Sequence, residues 1–254
     1  MRQAQATGSP DIIFLPRAGK PRAVEVLVAA FMDDPVYTHI FPEPAERRRS
    51  LRLLWDALLR YALVYGKVYT TPAIEGIACW LPPGQAEVTA WRNLRTGMPF
   101  PRAVARFSQE GRRRTLDMLR QTDDVRHRVI REPYWYLWAL GVEPAAQGQG
   151  LGSRLLAPAL ALADAAGLPC YLETETEYNV AFYQKRGFQV RTKKTLGDAG
   201  VVFWAMIRPP QPLRSVQMSV QEMAEMAAAR PAAAEQPLAE RDSPLLEAFQ
   251  RIVP

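Results

Sequence analysis

Leu140-Gly141-Val142-Glu143-Pro144-Ala145-Ala146-Gln147-Gly148-Gln149-Gly150-Leu151-Gly152-Ser153 is the stretch on which the fold turns. It leaves an apolar, aromatic run, Tyr134 to Val142, that reads as a strand central in a sheet. It enters a helix predicted from about Gly150 to Ala166, whose buried stripe is Leu151, Leu155, Leu156, Ala159, Leu162 and Ala163. Pro158 inside that helix predicts a kink, and Gly167 with Pro169 ends it. Glycine tolerates positive φ and close backbone approach, so several amides of the loop can point into one concavity. The helix dipole adds to them and makes an anion site suited to phosphate. A dinucleotide fingerprint needs glycine where Ser153 stands, and a P-loop needs Gly-Lys-Ser/Thr, so neither applies.

Working outward, Cys170 to Glu175 is the next strand, Asn179 to Arg186 a short helix stopped by Gly187, and Phe188–Thr192 with Val201–Ile207 a closing β-pair. Upstream, Asp11 to Leu15 is a short strand and Arg22 to Met32 a helix ended by Asp33-Asp34-Pro35. Glu46 to Tyr65 is an amphipathic helix, and Lys67–Thr71 with Ile74–Leu81 a hairpin. A helical segment broken at Gly97 to Pro101 fills about 84–132. Residues 1–210 thus read as one α+β domain with a helical insertion at 84–132. Residues 211–254, rich in Ala, Glu and Gln, read as a mobile tail.

The chain has 254 residues, 48% hydrophobic and 23% charged, with a net charge of +6. That composition excludes a wholly disordered chain. No run of about 18 apolar residues offers a membrane span, and no signal peptide is visible, so a cytoplasmic location is expected. Cys79 and Cys170 each sit in an apolar run without a CxxC partner, so buried reduced thiols are expected, with no metal site. The charge is uneven. Residues 211–254 hold four Arg and six acids, leaving 1–210 at +8, and 84–132 alone has eleven Arg against six acids. A solvated helical face explains the Arg cluster without nucleic acid, since the interleaved aromatics that would stack bases are sparse.

Gln147-x-x-Gly150-x-Gly152 after Val142-x-Pro144 resembles the acetyl-CoA signature of the GCN5-related N-acetyltransferases, the GNAT family. Leu172-Glu173-Thr174 and Asn179-x-x-Phe182-Tyr183-x-x-x-Gly187-Phe188 continue the resemblance. Leu151-Gly152-Ser153, Pro158 and Ala165-Gly167-Pro169 look most like the puromycin N-acetyltransferase group of that family. Counting Ala30-Phe31-x-Asp33-x-Pro35 and Tyr65-Gly66-Lys67-Val68, the resemblance covers about residues 12–208.

The resemblance implies an α/β sandwich whose mixed, mostly antiparallel sheet splays between its fourth and fifth strands and is flanked by helices. It implies acetyl-CoA as co-substrate, its pantetheine arm along Leu140, Gly141 and Val142 and near Asn179. The pyrophosphate would sit on the amides of Gln147, Gly148, Gly150, Gly152 and Ser153, and Arg154 is either a phosphate ligand or a surface residue. Tyr183 matches the family's general acid, and Asn179, four residues earlier, shares its helix face. Alternation puts Tyr171, Glu173 and Glu175 on one face of their strand. Glu173 is the candidate base, acting directly, through water, or by holding the ammonium electrostatically. Asp33, Asp34 and Tyr37 would border the acceptor pocket, with Glu175 favouring a cationic amine. The implied activity is direct acetyl transfer to a small primary amine, in a monomer or homodimer. A protein amine, a non-catalytic acyl-CoA-binding module and an RNA-associated basic protein are the alternatives.

Overall fold

Hydrophobic alternation along the strands divides the molecule into two cores, one on each face of a seven-stranded sheet. In the computed structural model, which describes residues 12–196 and 200–212, the strands are β1 (Ile13–Phe14), β2 (Lys67–Thr70), β3 (Gly76–Leu81), β4 (Trp135–Val142), β5 (Cys170–Thr174), β6 (Gln189–Leu196) and β7 (Val201–Arg208). Their spatial order is β1-β2-β3-β4-β5-β7-β6. Every neighbouring pair is antiparallel except β4 with β5. The predicted strand at Asp11–Leu15 shortens to two residues, and the expected tail beyond residue 212 lies outside the described residues.

The helices are α1 (Lys20–Phe31), α2 (Pro35–Ile40), α3 (Pro44–Tyr65), α4 (Ala90–Arg95), α5 (Pro99–Val104), α6 (Gln109–Val129), α7 (Leu151–Ala165) and α8 (Glu177–Gln184). The first core joins the apolar sides of α1, α2, α3, α5 and α6 to Ile77, Cys79, Leu81 and Tyr171 of the sheet. The second joins α7 and α8 to Ala78, Trp80, Cys170 and Leu172. Both cysteines are free and buried inside these layers, as their apolar surroundings predict.

Two features of β4 position the site. Its pairing with β5 covers only Trp135 with Cys170 and Tyr136 with Tyr171, so beyond Tyr136 that edge has no strand partner and the sheet splays. Its pairing with β3 passes from Ala139–Cys79 to Leu137–Trp80, which leaves Trp138 as an extra residue in a bulge. The bulge shifts the side-chain phase, and Trp138 and Ala139 both serve the first core.

The Arg-rich segment corrects a simple reading. Much of its charge is compensated along its own helix, Arg113 and Arg114 by Glu110, Arg120 by Asp117 and Arg128 by Asp124. Arg126 is not on a solvated face at all: it is 2% exposed. It donates to Glu87 and Asp123 at 2.8 Å each and to the Tyr134 hydroxyl at 2.7 Å. Buried charge needs such complete pairing, and here it ties the insertion to the edge of β4.

Candidate active site

A cavity of about 180 Å³ opens where β4 and β5 part. It gathers residues from eight segments distant in sequence. Asp34 and Tyr37 come from α2 and its cap, Tyr136 to Leu140 from β4, Glu173 to Glu175 from β5 and its exit, and Asn179 and Tyr183 from α8. The remaining wall belongs to α1, α3, α5 and α6.

The turn after α1 is itself a helix start. Asp34 stands at the N-cap of α2, its Oδ1 accepting from the amides of Val36 at 2.9 Å and Tyr37 at 3.4 Å. Capping turns the carboxylate inward with Tyr37, whereas Asp33 is exposed and does not line the cavity. Asp33 therefore drops out of the expected acceptor set. Burial raises the Asp34 carboxyl to about 6, against the lowering effect of its two amide hydrogen bonds.

On β5, alternation puts Tyr171 and Glu173 toward the first core and Leu172 toward the second. Glu173 Oε2 accepts from the Tyr136 hydroxyl at 2.6 Å, and the Tyr171 hydroxyl beside the same carboxyl also favours its charged form. Burial lifts this carboxyl to about 7, with the Tyr136 hydrogen bond and the charge of Arg126 opposing the rise. A group poised there exchanges protons near neutral pH. Glu175 is raised well above the ordinary carboxylate range, first by burial and then by the charges of Asp34 and Glu173. Tyr136 is the residue that sequence reasoning missed. Its signal was the alternation Tyr134, Tyr136, Trp138 on the strand beside Glu173.

Thr176 caps α8, its hydroxyl accepting from the Asn179 amide at 3.2 Å. That frees the Asn179 side chain, and both Asn179 and Tyr183 line the cavity from one helix face. Tyr183 is 7% exposed and packs edge-on against Phe182 and Phe188, ring centroids 5.1 and 5.6 Å apart. Burial and then the charge of Glu175 hold its hydroxyl protonated well above pH 10.

The glycine loop adjoins this cavity through Leu140. Gly148 and Gly150 have φ of +75° and +77°, and the amides of Gly148, Gln149 and Gly150 make no backbone hydrogen bond among the described residues. Gln147 folds back, donating from Nε2 to the Val142 carbonyl at 3.0 Å, which fixes the loop to the end of β4. Gly152 and Ser153 lie in the first turn of α7, and the Ser153 hydroxyl accepts from Arg186. These amides at a helix N-terminus, with the unpaired edge of β4 at Leu140 to Val142, suit a ligand bearing phosphates and an extended amide-containing arm. Among the described residues no cluster of three His, Cys, Asp or Glu is placed to hold a metal ion. No helix among them is long and apolar enough to cross a membrane.

Comparison with known proteins points the same way. The profile of the acetyltransferase (GNAT) family matches residues 114–188, which run from α6 through β4, the glycine loop and α8. An uncharacterised N-acetyltransferase of Schizosaccharomyces pombe is 28% identical over 213 residues, covering 81% of this chain and 85% of the relative. The crystal structure named as histone acetyltransferase HPA2 and related acetyltransferase, from Corynebacterium glutamicum, superposes with a TM-score of 0.57 at 26% identity. It covers 82% of this chain and all of that one. In profile, sequence relative and splayed sheet alike, the chain is similar to acetyltransferases of the GNAT family.

Proposed function

We propose that this protein transfers the acetyl group of acetyl-CoA to the primary amine of a small molecule, directly and in a ternary complex. The observation that carries the reading is the meeting of Tyr183, Asn179 and three carboxylates in one cavity at the splayed end of β4. Residues 1–210 form the catalytic domain in this reading, working in the cytoplasm as a monomer or homodimer.

Acetyl-CoA, when bound, supplies the activated thioester. Its phosphates would be held by the amides of Gly148, Gly150 and Gly152, since those of Gln147 and Ser153 already donate to the Pro144 and Gly150 carbonyls, and its pantetheine arm by the backbone of Leu140, Gly141 and Val142 and by Asn179. The chain's own groups then manage protons. Glu173, with its carboxyl near 7, accepts the proton that the amine must lose. Tyr183 donates a hydrogen bond where the sulfur takes up charge. A phenol is a weaker acid than a thiol, so the proton passes fully only as another reaches the phenolate. Glu175, whose carboxyl burial raises well above the ordinary carboxylate range, faces Tyr183 closely enough to act on it electrostatically, which makes it the candidate source. Neither cysteine takes part: burial pushes both thiols up, and reactive thiolates need the opposite shift.

Thiol release from acetyl-CoA against a panel of amines tests the reading. The resemblance to the puromycin group places puromycin in that panel. Turnover with at least one amine, lost in Tyr183→Phe while CoA affinity is kept, is the expected result. Absence of thiol release across the panel overturns it.

A further inference from the structure

The molecule is basic, yet the cavity is not. Its charged lining consists of Asp34, Glu173 and Glu175, and no Lys, Arg or His among the described residues lines it. None of the three carboxylates has an ion-pair partner among the described residues. All three come from β5, its exit and the α2 cap, so the acidity is confined to one end, beside Tyr183 and Asn179. The rest of the wall is supplied largely by α3 and by α5 and α6 of the Arg-rich insertion. There the lining is Leu54, Leu58, Phe100, Val104, Met118 and Leu119, with two threonines and Trp55 but no charge. The many arginines of α6 point elsewhere, into ion pairs on its outer side and into the Arg126 cluster.

From this placement we infer that the acceptor is a primary amine on an uncharged apolar body, aryl or alkyl. Its ammonium enters among Asp34, Glu173 and Glu175, and its body lies against α3 and the insertion. The inference rests on the acetyltransferase reading and narrows its substrate class. A second cation at the far end of the molecule would be desolvated against leucine and methionine with no counter-charge. A carboxylate next to the amine would enter a buried pocket whose other charged groups are all carboxyls, with no cation to offset it. Diamines, polyamines, amino acids and peptide chains are therefore disfavoured, and the insertion acts as the specificity wall for the body.

Matched pairs test this on the full chain with CoA present. Hexylamine is set against 1,6-diaminohexane, and 2-phenylethylamine against phenylalanine. Thiol release gives kcat/KM, and quenching of tryptophan fluorescence gives binding whether or not acetyl moves. The expected result is a preference of about tenfold or more for the first member of each pair, in line with the cost of a misplaced buried charge. Thr122 lines the uncharged wall and is half-buried on α6, so Thr122→Glu adds a carboxylate there without opening a core cavity. It should narrow the hexylamine-to-diaminohexane ratio about tenfold. Equal or reversed preference in the unaltered protein overturns the inference. Selective binding without thiol release would sustain it and sink the catalytic reading instead, so the two failures are distinct.

Discussion

At the scale of single residues, the site depends on Glu173 being tuned rather than merely present. Burial raises its carboxyl, and the Tyr136 hydroxyl at 2.6 Å, helped by the Arg126 charge and the Tyr171 hydroxyl, pulls it back to about 7. Tyr136→Phe removes a hydrogen bond that favours the charged form, so the carboxyl must climb further. A hydrogen bond to a charged group contributes about 1.5–3 kcal/mol, enough to move a titration by about one pH unit or more. The acid limb of the kcat/KM profile is expected to move by about that much to higher pH while CoA affinity stays unchanged. A limb that does not move removes Glu173 as the proton acceptor. Tyr183→Phe acts differently. It keeps the ring packing against Phe182 and Phe188 but deletes the donor, so kcat should fall by about 100-fold or more with CoA affinity within about twofold. A kcat within about tenfold of the unaltered enzyme would show that the hydroxyl is dispensable.

Elements explain why two glycines of one loop region do different work. Gly150 sits at the N-cap of α7 with φ +77°, and a Cβ there would meet nothing within 4 Å, so its requirement is conformational. Gly150→Val strains that backbone and turns the neighbouring amides, and is expected to weaken CoA about tenfold with little change in Tm. Gly141 has ordinary backbone, but a Cβ there would stand 2.9 Å from Leu27 and 3.1 Å from Ala30 of α1. Gly141→Ala forces α1 off β4 and is expected to lower stability by about 1–3 kcal/mol, read by denaturant midpoint. If both variants lose only stability, the loop is a packing turn and not a ligand cradle. The same distinction explains what could be read from sequence. The strands, the hairpin, the break within the insertion and the splay follow from local alternation, helical stripes and the resemblance of the loop. The short α2, the bulge at Trp138 and the burial of Arg126 do not. Each arises where a tertiary partner overrides local pattern: the Asp34 cap whose helix packs Tyr37 against Trp55 and Phe31, the register with β3, and the Glu87–Asp123–Tyr134 cluster. Asp33 and Asp34 are equivalent in the sequence, and only the direction of the capping bond separates the exposed one from the one in the cavity.

Across the whole molecule, function and stability pull in opposite directions, and pH should expose the conflict. The cavity carboxyls are raised on folding, Asp34 to about 6, Glu173 to about 7 and Glu175 well above the ordinary carboxylate range. For such groups the native state holds more protons than the unfolded chain once pH passes the unfolded carboxylate range near 4. Stability contributed by the neutral forms is present below that range and is lost as pH rises through the folded values. Glu87 behaves oppositely. The opposing groups on it, His127 and Arg126, outweigh burial and hold it at about 2, so its contribution is complete above the unfolded range and disappears as pH falls from about 4.5 toward 2. The two trends meet near pH 5, where thermal stability should peak, declining toward pH 8 even though most surface ion pairs are intact there. Moving a carboxyl's titration by one pH unit costs about 1.4 kcal/mol, so Glu173 alone accounts for roughly 3 kcal/mol at most between about pH 4 and pH 8. Glu173→Gln keeps the shape and the acceptor for Tyr136 while removing the buried charge. It should raise Tm at about pH 8, leave Tm at about pH 5 nearly unchanged, and lower kcat/KM at both. A saturating apolar amine should likewise raise Tm more at the higher pH than at the lower, because it supplies the missing cation to the charged forms. A Tm that climbs steadily from about pH 5 to pH 8 in the unaltered protein would contradict the buried, unpaired carboxylates on which both the proton chemistry and the acceptor class depend.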